Sequence, residues 1–110
     1  MIYSIEKLKE LVAPIAEKHK LRAVWVFGSY ARGEATEESD VDFLIDMTDD
    51  TLNGFFAFGG LYNDFEKTVG KKLDLVTTSG IDSPNSRRRT PRFRDKIYRE
   101  RVSLYEQQRH

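Results

Sequence analysis

Asp40 and Asp42 stand one residue apart, where a polar stretch gives way to the apolar run VDFLID. In an extended chain, residues two apart share a face. Both carboxylates then point the same way from backbone positions about 6–7 Å apart. Like charges at that spacing repel unless a cation neutralises them. Oxygen-only donors suit Mg²⁺, a hard octahedral ion that usually shares its shell with substrate phosphates, with Mn²⁺ as its substitute. Upstream, the run RAVWVF ends in Gly28-Ser29. A glycine there lets a phosphate approach the backbone closely, Ser29 offers a hydroxyl, and the amides of the following turn offer donors to an anion. Arg32 adds a cation for phosphate charge, with a plain surface role as the competing reading. Asp74, in KKLDLVTT, offers a third carboxylate, for a second metal or as a base toward an acceptor hydroxyl. The chemistry these residues describe is that of a nucleoside triphosphate with its metal. Asp40, Asp42 and Asp74 are the candidate metal ligands and catalytic groups, and Gly28, Ser29 and Arg32 are the candidate nucleotide contacts.

These residues need strands to hold them. RAVWVFG is β-branched and aromatic and predicts a buried strand. DVDFLIDM predicts a second, with Asp40, Asp42, Leu44 and Asp46 on one face and Val41, Phe43, Ile45 and Met47 on the other. KKLDLVTT predicts a third, its Asp74 facing away from Leu73 and Leu75. Residues 5–19 predict a helix with Ser4 as N-cap and Ile5, Leu8, Leu11, Val12 and Ile15 on one face. Pro14 should kink it or end it early. A second helix is predicted over TLNGFFAFGGLYNDFEKTVG, with Leu52, Phe55, Tyr62, Phe65 and Val69 on one face and Gly70 as its stop. Gly59 and Gly60 fall inside it, which implies close packing on a sheet or a break. Residues 79–91 read as a loop, RFRDKIYRE as a short helix, RVSLYE as a last strand and QQRH as a frayed tail. Trp25, Phe55, Phe56 and Phe58 read as core. Arg87, Arg88, Arg89, Arg92 and Arg94 read as a solvated segment or a partner surface.

The whole chain narrows the classes. A length of 110 residues suits one domain over 1–110. Formal net charge is +0, so no global field points to nucleic acid or a membrane, and the arginine run lacks the interleaved aromatics of a base-stacking surface. There are no cysteines, which excludes disulfides and thiolate metal sites and suits a cytoplasmic setting. No apolar run approaches the roughly 20 residues of a membrane helix, and the N-terminus lacks the plan of a signal peptide. Alternating helices and strands give an α/β (α+β) class: a small mixed sheet flanked by helices.

GSYARGEATEESDVD has the pattern Gly-Ser, ten residues, Asp-any-Asp. That pattern resembles the signature of the DNA polymerase β-like nucleotidyltransferases. With VWVFGSYARGEA and GKKLDLVT, the chain over about residues 5–106 is similar to their smallest members, the minimal nucleotidyltransferase (MNT) proteins, whose third carboxylate falls on Asp74. The resemblance implies the polymerase β-like fold and Mg²⁺-dependent transfer of a nucleoside monophosphate to a hydroxyl, with pyrophosphate released. It also implies a partner: a HEPN ribonuclease toxin, neutralised when the MNT protein transfers AMP from ATP to a tyrosine of the toxin, the two forming a hetero-oligomer. Two other readings stand beside it: an antitoxin acting by occlusion alone, and a nucleotidyltransferase for small molecules.

Overall fold

The computed structural model describes residues 2–47, 54–82 and 91–107. The chain runs α1 (Ile5–Lys18), β1 (Ala23–Phe27), α2 (Ser29–Arg32), β2 (Val41–Asp46), α3 (Gly54–Val69), β3 (Leu73–Thr77), α4 (Thr78–Asp82), α5 (Pro91–Glu100) and β4 (Val102–Glu106). The four strands form one mixed sheet in the order β3-β2-β1-β4. β1 pairs antiparallel with both β2 and β4, whereas β3 returns through α3 to lie parallel to β2. The expected class and the four expected strands are all present. Among the described residues no helix is long and apolar enough to cross a membrane.

Period-two alternation sends side chains to two different cores. Val24 and Val26, Val41, Phe43 and Ile45, and Leu73 and Leu75 meet α1 and α3 on one face. There Leu8, Val12, Ile15 and Ala16 of α1 and Leu61, Phe65 and Val69 of α3 complete the larger core, with the rings of Phe43 and Phe65 4.8 Å apart. On the opposite face a smaller cluster joins Phe27, Leu44 and Val76 to Ile81 of α4 and Ile97 of α5. This second face also carries the aspartates.

Local chemistry sets the helix ends. Ser4 Oγ accepts the Lys7 N–H at 3.0 Å, the expected N-cap. Gly70, with φ +66°, terminates α3 and donates its N–H to the Glu66 carbonyl. Pro14 does not end α1, which continues to Lys18. Ile15 and Ala16, beyond the proline, are buried in the larger core, and their packing offsets the one backbone bond that proline removes. At the C-terminal end of α1, His19 Nε2 lies 2.6 Å from Asp64 Oδ2 and Lys18 Nζ 3.0 Å from the same oxygen, tying α1 to α3.

Three expectations change. Residues 78–82 are helical rather than loop: Thr77 Oγ1 accepts the Gly80 N–H at 3.0 Å, and the turn seats Ile81 in the smaller core. Trp25 is only half-buried at the edge of that cluster, where the Arg101 guanidinium stacks on it at 4.5 Å and on Tyr98 at 4.7 Å. Gly59 and Gly60 neither break α3 nor touch the sheet. Among the described residues a Cβ at Gly59 would meet nothing within 4 Å, and one at Gly60 only His19 Cε1 at 4.0 Å. Leu52, the side chains of Phe55 and Phe56, Arg87, Arg88 and Arg89 with the rest of 83–90, and the tail 108–110 lie outside the described residues.

An exposed helical glycine with room for a methyl group costs about 1 kcal/mol relative to alanine. Gly59→Ala is therefore expected to stabilise the protein by about that amount, raising the thermal midpoint by about 4–8 °C. A lowered midpoint in a thermal melt would show that the glycine is needed for packing.

Candidate active site

The register across three strands builds the site. Phe27 of β1 pairs with Asp42 of β2, and Asp42 pairs with Asp74 of β3. Parallel pairing in register puts the two aspartates side by side on one face of the sheet, while Leu73 and Leu75 occupy the other. Val41 N–H donates to the Lys72 carbonyl at 3.1 Å, continuing the ladder at the end where the aspartates stand. Asp40 sits just before β2 and is exposed. The turn that delivers it is closed on itself: Ser39 Oγ accepts the Thr36 N–H at 2.8 Å, and the Ser39 N–H returns to the Thr36 carbonyl at 3.0 Å. Asp46 shares the face, but its Oδ1 accepts a hydrogen bond from the Thr78 hydroxyl at 3.2 Å, which gives it a structural task at the other end of the strand.

Gly28 leaves β1 with φ +73° and ψ −148° as the residue preceding α2, a conformation open to glycine and costly for other residues. Space gives a second reason: a Cβ on Gly28 would collide with Oδ2 of Asp42. The strand end and the carboxylate are thus in direct contact through the missing side chain. The following turn is tight, with Arg32 N–H donating to the Gly28 carbonyl at 3.1 Å and Glu34 N–H to the Ser29 carbonyl at 2.9 Å.

Gly28, Ser29, Arg32, Asp40 and Asp42 surround one open cleft of about 350 Å³. Asp74 is not among its lining residues; it is exposed beside Asp42 on the edge strand. The opposite wall comes from α5, through Phe93, Lys96, Ile97 and Glu100. No sequence motif connects α5 with the site. The one available signal was the helical spacing of 93, 96, 97 and 100, which puts these four on one face. A wider surface groove of about 620 Å³, lined by Arg92, Asp95, Tyr98 and Arg99, contains none of Asp40, Asp42 and Asp74.

Burial, then the charge of Asp74, then that of Asp40 push the Asp42 carboxyl up to about 6, against a smaller opposing effect of Arg32. Arg32 itself is engaged: its Nε donates to Glu34 at 3.0 Å and its Nη1 to Glu100 at 3.1 Å. The cleft therefore holds negative charge that Arg32 does not cancel. All the acidic donors are oxygens, which fits a hard divalent ion. Among the described residues no three His, Cys, Asp or Glu side chains are drawn together as a ready-made metal cage. Mg²⁺ is commonly held by one or two carboxylates and completed by substrate phosphates and water.

Residues 7–104 match the profile of the nucleotidyltransferase domain. The chain belongs to that family. This nucleotidyltransferase is 34% identical over 85 residues to a Methanocaldococcus jannaschii protein named as a candidate protein adenylyltransferase, covering 74% of this chain and 85% of that one. It is 39% identical over 69 residues to the protein adenylyltransferase MntA of Thermococcus cleftensis, covering 63% and 68%. Among solved structures, one described as a candidate minimal nucleotidyltransferase superposes with a TM-score of 0.68 at 32% identity, covering 91% of this chain and 95% of that one. The nucleotidyltransferase also shares its fold with the MNT antitoxin seen in complex with a tri-AMPylated Shewanella oneidensis HEPN toxin, at a TM-score of 0.59 and 16% identity over 94% of this chain and 73% of the other. A toxin–antitoxin crystallised with AMP-PNP gives 0.64 at 19% identity, over 91% and 74%.

Two predictions come from this geometry. The folded-state value of Asp42, about 6, lies above the roughly 3.9 of an unfolded aspartate. The folded metal-free protein binds the proton more tightly, so this contribution to stability is full below about pH 4 and is lost as pH rises through 6. In EDTA, Asp42→Asn is expected to be more stable than wild type at pH 8 by about 1 kcal/mol, discounted for solvent screening, and equal to it at pH 4. Mg²⁺ should raise the wild-type midpoint and leave that of the mutant unmoved. A mutant less stable than wild type at pH 8 would contradict the charge reading. Gly28→Ala should displace the Asp42 carboxylate and reduce Mg²⁺ stabilisation at least tenfold in apparent affinity; unchanged Mg²⁺ binding would show that the contact is dispensable.

Proposed function

We propose that this chain is a one-domain cytoplasmic enzyme, spanning residues 1–110, that transfers AMP from Mg²⁺-bound ATP to a tyrosine of a HEPN ribonuclease toxin and so acts as its antitoxin. The observation that carries the reading is the register pairing Asp42 with Asp74 while Gly28 abuts Asp42. The names of the relatives add support: one is named a protein adenylyltransferase and others candidate protein adenylyltransferases, and a protein of the same fold stands in complex with an AMP-bearing HEPN toxin.

Each residue then has a task. Asp40 and Asp42 would hold the metal, with Asp74 as the third carboxylate beside them. When bound, the ion neutralises the paired carboxylates and polarises the phosphate under attack. Gly28 gives the polyphosphate room at the strand end, and Ser29 offers it a hydroxyl. Arg32 lines the same cleft and can exchange a carboxylate partner for phosphate. Asp74 takes the acceptor proton as the acceptor oxygen bonds to the α-phosphorus and pyrophosphate leaves. Its position favours this role: β3 is an edge strand and Asp74 is exposed, so a hydroxyl carried on another protein can reach it without displacing the nucleotide.

Intact-mass spectrometry tests the proposal, with the chain, ATP, Mg²⁺ and the HEPN-type protein of the same genome mixed together. The HEPN protein should gain about 329 Da per transferred AMP, and EDTA or Asp40→Asn with Asp42→Asn should abolish the gain. Asp74→Asn should keep Mg²⁺-dependent ATP binding and lose transfer by at least about a hundredfold. Efficient labelling by that mutant would remove Asp74 from the chemistry. A toxin silenced by wild type without any mass gain would establish occlusion instead.

A further inference from the structure

The cleft contains a cation that neither the sequence motif nor the roles above employ. α5 is seated against the end of β1 by two contacts: the Phe93 ring meets Phe27 edge-on at 6.5 Å and 88°, and Ile97 is 2% exposed within the cluster of Phe27, Leu44 and Val76. Phe27 immediately precedes Gly28, so these contacts fix α5 beside the strand end where the Gly-Ser turn begins. Lys96 and Glu100 are thereby brought to the same cleft as Ser29, Asp40 and Asp42.

The ion pairs decide which cation is available. Lys96 and Glu100 are four residues apart on one helix, the spacing at which such pairs usually form. Glu100 is instead taken by Arg32 at 3.1 Å, and Arg32 is held on its other side by Glu34 at 3.0 Å. Among the described residues Lys96 has no ion pair or hydrogen bond. A nucleoside triphosphate carries more negative charge than one divalent ion cancels, and Asp40 and Asp42 add to the excess. Arg32 must give up a carboxylate to meet such a ligand, whereas Lys96 reaches it with no partner to exchange among the described residues. An ammonium on a flexible stem is a natural partner for phosphate.

We propose that Lys96 is a polyphosphate-binding residue, meeting the phosphates that leave as pyrophosphate from the α5 wall of the cleft. The assignment rests on the nucleotidyl-transfer reading given above. It makes α5 part of the substrate site rather than only a cover for the sheet.

Calorimetric titration with Mg·ATP and with Mg·pyrophosphate tests it on wild type, Lys96→Ala, Lys96→Arg and Arg99→Ala. Arg99 is on the same helix but lines the other groove, so its removal controls for net charge. Lys96→Ala should weaken both ligands about tenfold or more, as the loss of one charge-assisted contact predicts. Lys96→Arg should recover most of the loss, and Arg99→Ala should stay within about twofold of wild type. Lys96 is exposed, so all variants should melt like wild type. The assignment is overturned if Lys96→Ala binds like wild type, if Arg99→Ala weakens binding equally, if arginine recovers nothing, or if pyrophosphate binding is unaffected. A wild-type chain that binds neither ligand would instead overturn the underlying nucleotidyl-transfer reading, and that failure is visible before any variant is measured.

Discussion

Adjacent strands that place like charges directly opposite one another are destabilised by the pairing, yet Asp42 and Asp74 are held in register by a parallel ladder between β2 and β3. The surroundings of this pair are arranged around that repulsion. Gly28 has no side chain because Oδ2 of Asp42 occupies the space where one would be. Arg32 moderates the charge on Asp42 from a distance while its own hydrogen bonds go to Glu34 and Glu100. It does not cancel that charge, and the Asp42 carboxyl stays pushed up to about 6. Under the proposed function, this unbalanced charge is what a cation, and a ligand that brings one, would offset.

The two faces of the sheet divide the work. The α1–α3 face holds the larger core, with Leu8, Val12, Phe43, Ile45, Leu61 and Phe65 all fully buried. It has enough apolar burial to fix the strands in position. The α4–α5 face carries a smaller cluster and surrenders part of its area to polar groups. Strain and charge can be tolerated there because the register is set from the other side. The arginine sandwiched between Trp25 and Tyr98 extends this second face outward, using cation–π contact where the apolar cluster runs out.

Much of this arrangement was legible in the residues. The DVDFLID alternation assigned faces to β2, and capping chemistry placed Ser4 and Gly70 at helix ends. Asp74 was placed on the aspartate face because Leu73 and Leu75 claimed the other. Other features depend on tertiary partners that periodicity does not reveal. The α5 wall of the cleft arises from the packing of Phe93 and Ile97 on β1, far away in sequence. The short α4 was hidden by turn-forming residues, although Thr77 is a capping type and caps it. Gly59 and Gly60 suggested a contact, and the helix simply carries them on an exposed side. Arg32 was visible as a cation, but its two glutamate partners were not.

The route of the chain has a consequence for assembly. β1 and β2 are antiparallel neighbours in sequence, while β3 reaches its place beside β2 only after the crossover through α3. Closing the longer loop costs more chain entropy, and pairings between distant segments are the slow ones. Gly28 and Asp42 come together within the β1–β2 unit, whereas Asp74 is brought beside Asp42 by the distant pairing. The step with the costlier loop closure is therefore also the step that creates the carboxylate repulsion.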